Sequence, residues 1–303
     1  MPDARVDFDM NILVLGETGQ LARSLQDSQP AGLQVEYLSR DQCDLALAEQ
    51  IKAALDAIQP DWVINAAAYT AVDKAEEEQD LANAINAEAP RAMAEWIAGN
   101  LPDQNKEPTK LIHISTDFVF DGTGTAPYKP SDPTDPLGAY GLSKLNGEIA
   151  IQEAAPEQSM IIRTAWVYSE HGNNFVKTML RLMAERDELN VVNDQLGTPT
   201  YARDLAEIIW LLVTSNRFMP GTYHWSGAGE ISWYEFATAI QAEALKNGLL
   251  TKPIPIKPIP ASDYPTPAKR PAYSVLNTSD LEQVTSRRAA PWRQQLIEML
   301  RRL

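Results

Sequence analysis

The chain has 303 residues, 44% of them hydrophobic and 22% charged, with a formal net charge of −15. This composition excludes intrinsic disorder, a collagen-like repeat and a disulfide scaffold, and the length suits about two domains or one fold carrying a sizeable lobe. So acidic a balance argues against a nucleic acid or an anionic membrane as partner, yet leaves room for a local basic pocket that takes a phosphorylated small molecule. Cys43 is the only cysteine, so no intrachain disulfide forms, which suits a reducing compartment. The longest apolar run, Ile208 to Val213, is too short to cross a bilayer, and the start of the chain is acidic at Asp3, Asp7 and Asp9 without an apolar signal segment. The expectation is a soluble, cytoplasmic protein.

Residues 1–9 carry no apolar periodicity and read as a short extension. A buried-strand run follows at Asn11 to Leu15, then Gly16 and a helix-compatible stretch. Similar runs recur at Leu33 to Leu38, Trp62 to Asn65, Leu111 to Ser115 and Met160 to Arg163, with helical patterns at Gln50 to Ile58, Leu81 to Ile97 and Tyr140 to Ala154 between them. Near-continuous apolar strands alternating with helices predict a doubly wound parallel sheet, the Rossmann type of α/β fold. The predicted dinucleotide-binding domain spans 10–170, with 201–222 returning to it. A smaller α/β substrate-binding lobe takes most of 171–303.

Helices are expected in that second part at Asn174 to Arg186, Arg203 to Thr214 and Trp233 to Asn247. Seven prolines between Pro253 and Pro271 exclude a helix there and predict an extended, stiffened loop. Trp292 to Leu303 reads as an amphipathic closing helix. No internal repeat and no low-complexity tract interrupts this order.

The turn Gly16-Glu17-Thr18-Gly19-Gln20-Leu21-Ala22 joins the first strand to the first helix. Glycines there allow a tight turn and bring the backbone close to a pyrophosphate, which the helix N-terminus attracts. Gly16, Thr18, Gly19, Gln20 and Leu21 are therefore candidate dinucleotide contacts. At the end of the second strand an acidic residue would read a free ribose 2′-hydroxyl, whereas arginine accommodates a 2′-phosphate. This chain has Ser39-Arg40, which leans toward NADPH, and Asp44-Leu45 is placed to sit beside the adenine. Ala66, Ala67 and Ala68 after the third strand are small enough to let the backbone run beneath a cofactor. The carboxylates Glu76-Glu77-Glu78 read as a solvated helix face and not as a metal site.

The sharpest constellation is Ser115-Thr116-Asp117 at a strand end with Tyr140 and Lys144 at i, i+4. That spacing puts a phenol and an ammonium on one helix face. The ammonium favours the phenolate, so the tyrosine exchanges a proton with a carbonyl oxygen near neutral pH, while the Thr116 hydroxyl holds the same oxygen. Other chemistries find little support. His113, His171 and His224 lack zinc spacing, and His113, inside an apolar run, reads as a satisfied core residue. No Gly-x-Ser-x-Gly elbow is present, and Cys43 has no nucleophile signature.

Taken together, these motifs resemble the extended short-chain dehydrogenase/reductases, and within them the branch that reduces dTDP-4-dehydrorhamnose. Besides the segments above, Ala71-Val72-Asp73-Lys74-Ala75-Glu76, Phe118-Val119-Phe120-Asp121-Gly122, Arg163-Thr164-Ala165-Trp166-Val167-Tyr168 and Gly172-Asn173-Asn174-Phe175 carry the likeness. Two distal segments carry it most specifically: Asn193 to Thr200 and Tyr264 to Pro271. The resemblance implies hydride transfer from NADPH or NADH to the C4 keto group of dTDP-4-dehydro-6-deoxy-L-mannose, giving dTDP-L-rhamnose for cell-surface polysaccharide. It implies Tyr140 as proton donor, Lys144 on the nicotinamide ribose and Thr116 on the carbonyl. It also implies Ile114 beside the coenzyme, Asp117 and Trp166 against the sugar, Asn174 in the covering lobe and Arg270 on the diphosphate. Some members form a magnesium-bridged homodimer through C-terminal glutamates. Here that end reads Glu298-Met299-Leu300-Arg301-Arg302-Leu303, so those carboxylates are partly absent, which speaks against Mg2+ and against that dimer.

Two alternatives stay open at this level. Another nucleotide-sugar enzyme is one, although a 4,6-dehydratase pattern would read Thr-Asp-Glu where this chain has Phe118. A non-catalytic regulatory subunit of the same fold is the other, against which the retention of Tyr140 and Lys144 speaks.

Overall fold

The computed structural model describes residues 10–100, 107–215 and 217–303, and the extension expected at 1–9 lies outside the described residues. The chain begins β1 (Asn11–Leu15), α1 (Gln20–Asp27), β2 (Gln34–Leu38), α2 (Ala48–Ile58) and β3 (Trp62–Asn65). It continues through α3 (Gln79–Asn83), a π-helical turn (Ala84–Glu88), α4 (Ala89–Gly99), β4 (Lys110–Thr116), α5 (Ala139–Ala154) and β5 (Ser159–Thr164). Then come β6 (Val167–Tyr168), α6 (Phe175–Glu185), β7 (Leu189–Val192), β8 (Leu196–Gly197), β9 (Thr200–Tyr201), α7 (Ala202–Thr214) and β10 (Gly221–His224). The last elements are β11 (Ile231–Ser232), α8 (Trp233–Lys246), β12 (Ile256–Ile259), α9 (Ser279–Thr285) and α10 (Trp292–Leu300).

Six strands pair in the order β2-β1-β3-β4-β5-β10, all parallel. The two-residue alternation of a strand sends Ile12 and Val14 to one face of this sheet and Leu13 and Leu15 to the other. On the first face they pack with Leu21 and Leu25 of α1 and Leu205, Ile208 and Leu212 of α7. On the second they meet Ile51 and Leu55 of α2, Met93 and Ile97 of α4 and Ile151 of α5. Both faces being covered, β1 and β3 are apolar nearly throughout, and β5 is buried along its whole length with Met160, Ile161 and Ile162 as its apolar centre. A further apolar cluster joins Val176 and Met179 of α6, Phe236 and Ile240 of α8 and Leu296 and Met299 of α10.

From β1 the chain moves to β2 on one side and then crosses to β3 on the other. The crevice outside the carboxyl ends of β1 and β3 is therefore a topological switch point, the usual ligand position in such sheets. The cleft described below lies at that end.

The sequence and the structure differ in four of these elements. The single helix expected over Leu81 to Ile97 is interrupted by the π-turn at Ala84–Glu88. Pro90 supplies the reason, since it has no N–H to give and its ring crowds the carbonyl four residues back, at Asn86. The proline-dense segment holds a strand, β12, paired in parallel with β7 despite Pro258. A two-stranded sheet is all edge, and an edge strand tolerates a residue that cannot donate. The helix α9 was not expected, and the closing helix ends at Leu300 rather than Leu303.

α5 approaches its neighbours more closely than side chains allow. A Cβ on Gly141 would run into the carbonyl of Phe118, and one on Gly147 into the carbonyl of Asn86 in the π-turn. Helix propensity alone would make Gly147→Ala stabilising by about 1 kcal/mol. The crowding against backbone reverses the sign, and a net loss of roughly 1–3 kcal/mol is expected in urea unfolding.

Candidate active site

A half-open cleft of about 800 Å³ lies at the carboxyl ends of the central strands. It is lined by Gly16, Thr18, Gly19, Gln20 and Leu21 from the first turn, by Arg40, Asp44 and Leu45 after β2, and by Ala66, Ala67 and Ala68 after β3. Ile114, Thr116 and Asp117 from the end of β4, Tyr140 and Lys144 of α5, and Trp166 complete the set named from sequence. Three residues named with them do not line it. Ser39 turns its hydroxyl to Gln42 Oε1 at 2.9 Å. Asn174 caps α6 by accepting from Lys177 N, and its Nδ2 donates to Gln20 Oε1 and Ser169 O. Arg270 forks onto Asp73 with N···O distances of 3.1 and 2.9 Å.

The first turn fits a dinucleotide. Gly16 has φ +99°, and a Cβ there would strike the side chain and backbone of Ala67. Only the pairing of glycine with a small residue lets the β1 turn and the β3 end close up in this way. Gly19 begins α1 without a side-chain cap, so the positive end of that helix is open to an anionic group. Arg40 stands at the rim with a side chain 70% exposed and a single 3.4 Å contact to Asp44, free to turn toward a phosphate.

The reacting end is built by α5 meeting β4. Glu76 caps α5 from outside, accepting from Ala139 N at 2.9 Å, and a Cβ on Gly138 would displace that carboxylate. Glu76 is thus half-buried and structural, which differs from the solvated face read from sequence, whereas Glu77 and Glu78 are exposed as that reading expects, Glu78 accepting from Tyr69 Oη at 2.6 Å. Asn86, presented by the π-turn, accepts from Tyr69 N and donates to Tyr69 O and to Ser143 Oγ. It ties the cleft wall to α5. Sequence reading missed Asn86, and Pro90 in an otherwise helical pattern was the available signal.

Tyr140 lies edge-on to Phe118 at 5.5 Å, beside Thr116. Burial pushes its hydroxyl up to about 12, with the Thr116 hydroxyl pulling down against it and Asp117 adding to the rise. The phenol therefore keeps its proton at neutral pH. This departs from the expectation that the ammonium would favour phenolate: Lys144 Nζ donates to Ile114 O at 2.6 Å and lies 3.2 Å from His113 Nε2. Burial brings Lys144 down to about 8, opposed by the Glu148 carboxylate one turn along α5. Asp117 is pushed up to about 6 by burial, against hydrogen bonds from Ser274 and Thr116.

The far wall carries a strained residue. Trp166 has φ +49°, rare for a bulky side chain, and stacks on Trp233 with ring centroids 3.5 Å apart. Gly197 makes room, since a Cβ there would meet the Trp166 indole. Strain of this kind gathers at ligand sites. Among the described residues, Asp27, Glu170 and His171 form one trio with metal-capable atoms within 4.8 Å of one another, and there His171 Nε2 already pairs with Asp27 at 2.7 Å.

Behind Lys144, Glu148 accepts from Ser115 Oγ and is clasped by Arg163 through Nε and Nη2, with both side chains about 95% buried or more. Removing one partner of a buried pair strands the other charge, which costs roughly 3–5 kcal/mol. Glu148→Ala is expected to lose that much in denaturant unfolding, and Arg163→Ala a similar amount.

The family model described as the RmlD substrate binding domain matches residues 10–303. A dTDP-4-dehydrorhamnose reductase of Sinorhizobium fredii NGR234 is 40% identical over 289 residues, covering 93% of this chain and 94% of that one. One from Escherichia coli K12 is 42% identical over 281 residues, covering 90% and 91%. The crystal structure of dTDP-4-dehydrorhamnose reductase from Bacillus anthracis in complex with NADP is similar at TM-score 0.86 and 33% identity, covering 97% of this chain and 99% of that one. With a family match that runs from the first described residue to the last, the chain belongs to the RmlD substrate binding domain family.

Proposed function

We propose that the protein reduces the C4 keto group of dTDP-4-dehydro-6-deoxy-L-mannose to give dTDP-L-rhamnose, consuming NADPH or NADH in the supply of nucleotide sugar for cell-surface polysaccharide. The observation that carries this is the meeting of Thr116, Tyr140 and Lys144 in one cleft with the Gly16–Leu21 turn. Relatives that bear the name of this reaction over most of their length support it.

A reduced nicotinamide coenzyme supplies the hydride that C4 takes up. Tyr140, protonated up to about pH 12, gives its proton to O4 as negative charge develops there. Thr116 holds the same oxygen, a hydroxyl dipole set in a water-poor pocket. Lys144, anchored to the Ile114 carbonyl, presents its remaining donor capacity to the cleft, toward the coenzyme ribose and Tyr140. Asp117 and Trp166 contact the sugar. The acidic chain attracts an anionic coenzyme only locally, through Arg40 and the open end of α1.

In this reading residues 10–170, with α7 and β10 returning to the sheet, bind the coenzyme, and most of 171–303 covers the nucleotide sugar. Asn174 sets the edge of that cover, and Arg270 takes the diphosphate by exchanging Asp73 for it. No helix among the described residues is long and apolar enough to cross a membrane. A cytoplasmic site of action follows from the need for a reduced coenzyme pool.

Coenzyme oxidation is to be followed by absorbance with the keto sugar generated in situ. Tyr140→Phe is expected to lower kcat by roughly 10²–10⁴-fold, the usual contribution of a positioned proton donor, with coenzyme binding retained. Turnover indifferent to Tyr140, or coenzyme binding without turnover in the wild type, would reject the reading. The latter would favour a non-catalytic subunit. Loss of one charge-assisted hydrogen bond predicts that Arg40→Ala weakens NADPH binding by roughly 10–100-fold and leaves NADH binding little changed. Fluorescence titration with both coenzymes measures the difference.

A further inference from the structure

The mechanism above uses Lys144 and leaves unexplained the two polar residues stacked behind it. His113 Nε2 lies 3.2 Å from Lys144 Nζ, and His113 Nδ1 lies 3.0 Å from the Asn65 side-chain amide. Asn65 and His113 face each other in register across β3 and β4, and both are fully buried. Asn65 is oriented in turn, because its Oδ1 accepts from Ala67 N at 3.3 Å, leaving Nδ2 toward the imidazole.

A neutral imidazole has one nitrogen that donates and one that accepts. While Lys144 is an ammonium, both neighbours of the ring are donors: Asn65 Nδ2 on one side and Nζ on the other. A single acceptor nitrogen satisfies only one of them. Either tautomer leaves a donor facing a donor, and an imidazolium leaves two. Once Lys144 is an amine, its lone pair takes the proton of Nε2, Nδ1 accepts from Asn65, and every group in the row is satisfied. The row ends in the core at Asn65, so it has no route by which to carry protons to solvent.

We infer that Asn65 and His113 are positioning residues that make Lys144 a readier proton donor, by favouring its amine over its ammonium through hydrogen-bond mismatch. The inference rests on the reductase reading for its use. After Tyr140 has protonated O4, the phenolate takes a proton from Lys144, the resulting amine is held by His113 Nε2–H, and Lys144 regains a proton from solvent. The other charged or titratable groups around Lys144 are Glu148 and Tyr140 on α5, Arg163 of β5 paired with Glu148, and Asp117 in the turn after β4. None of them changes in the variants below.

The test follows the side-chain titration of Lys144 by NMR in protein carrying labelled lysine, with Lys144→Met to assign the signal. His113→Gln, which can turn an amide oxygen to Nζ, and Asn65→Leu, which frees Nδ1 to keep its proton, are each expected to raise that titration by about one pH unit, the worth of one hydrogen bond. The alkaline limb of kcat moves up with it, while the coenzyme Kd changes little. A titration unmoved or lowered in both variants, whether or not the melting temperature falls, overturns the inference. Absence of turnover in the wild type would count against the reductase reading alone, since the NMR titration needs no substrate.

Discussion

The distance between α5 and the end of β4 governs the chemistry of the cleft. Tyr140 and Lys144 reach their places because α5 carries glycine where it touches the Phe118 and Asn86 carbonyls, so that backbone rests on backbone. Glu76 closes the start of the helix and the π-turn closes its side through Asn86. A wider spacing would leave Lys144 Nζ short of the Ile114 carbonyl and expose Tyr140 to water. The same contact thus supplies both the geometry and the burial on which the proton chemistry rests.

Burial moves the titrations of Tyr140 and Lys144 in opposite directions, and their neighbours decide how far. Tyr140 is held as a phenol because a phenolate would be poorly solvated there. Lys144 is drawn toward the amine for the same reason, and Glu148 limits the fall. Glu148 is itself a buried charge, tolerable only because Arg163 and Ser115 satisfy it. A neutral phenol and a cation therefore coexist side by side on one face of α5.

The binding end of the cleft works by a different physics. The features there that suit a phosphate are backbone at the uncapped start of α1 and one exposed arginine, in a chain of net charge −15. Across the other side Asp73 pairs with Arg270 and neutralises it. Arg40 and the open end of α1 are thereby left as the positive features of that rim, and the acidic exterior discourages polyanions elsewhere.

What the sequence determined by itself was whatever depends on local period and local chemistry. Short apolar runs marked the five strands β1 to β5 to within a residue or so, and strand–helix alternation implied the parallel sheet. The turn at Gly16 and the i, i+4 pair of Tyr140 and Lys144 were legible because each is a short-range pattern, and 17 of the 20 residues named from sequence line one cleft. The tertiary structure alone decided what depends on meetings between distant segments. Asn65 and His113 became a pair only through strand register, Glu76 became a cap only because α5 starts beside it, and Arg270 found Asp73 197 residues away. The state of Tyr140 belongs here too. Spacing could place an ammonium near the phenol, but only the packed interior fixes how much solvent each group loses, and that loss outweighs the charge between them.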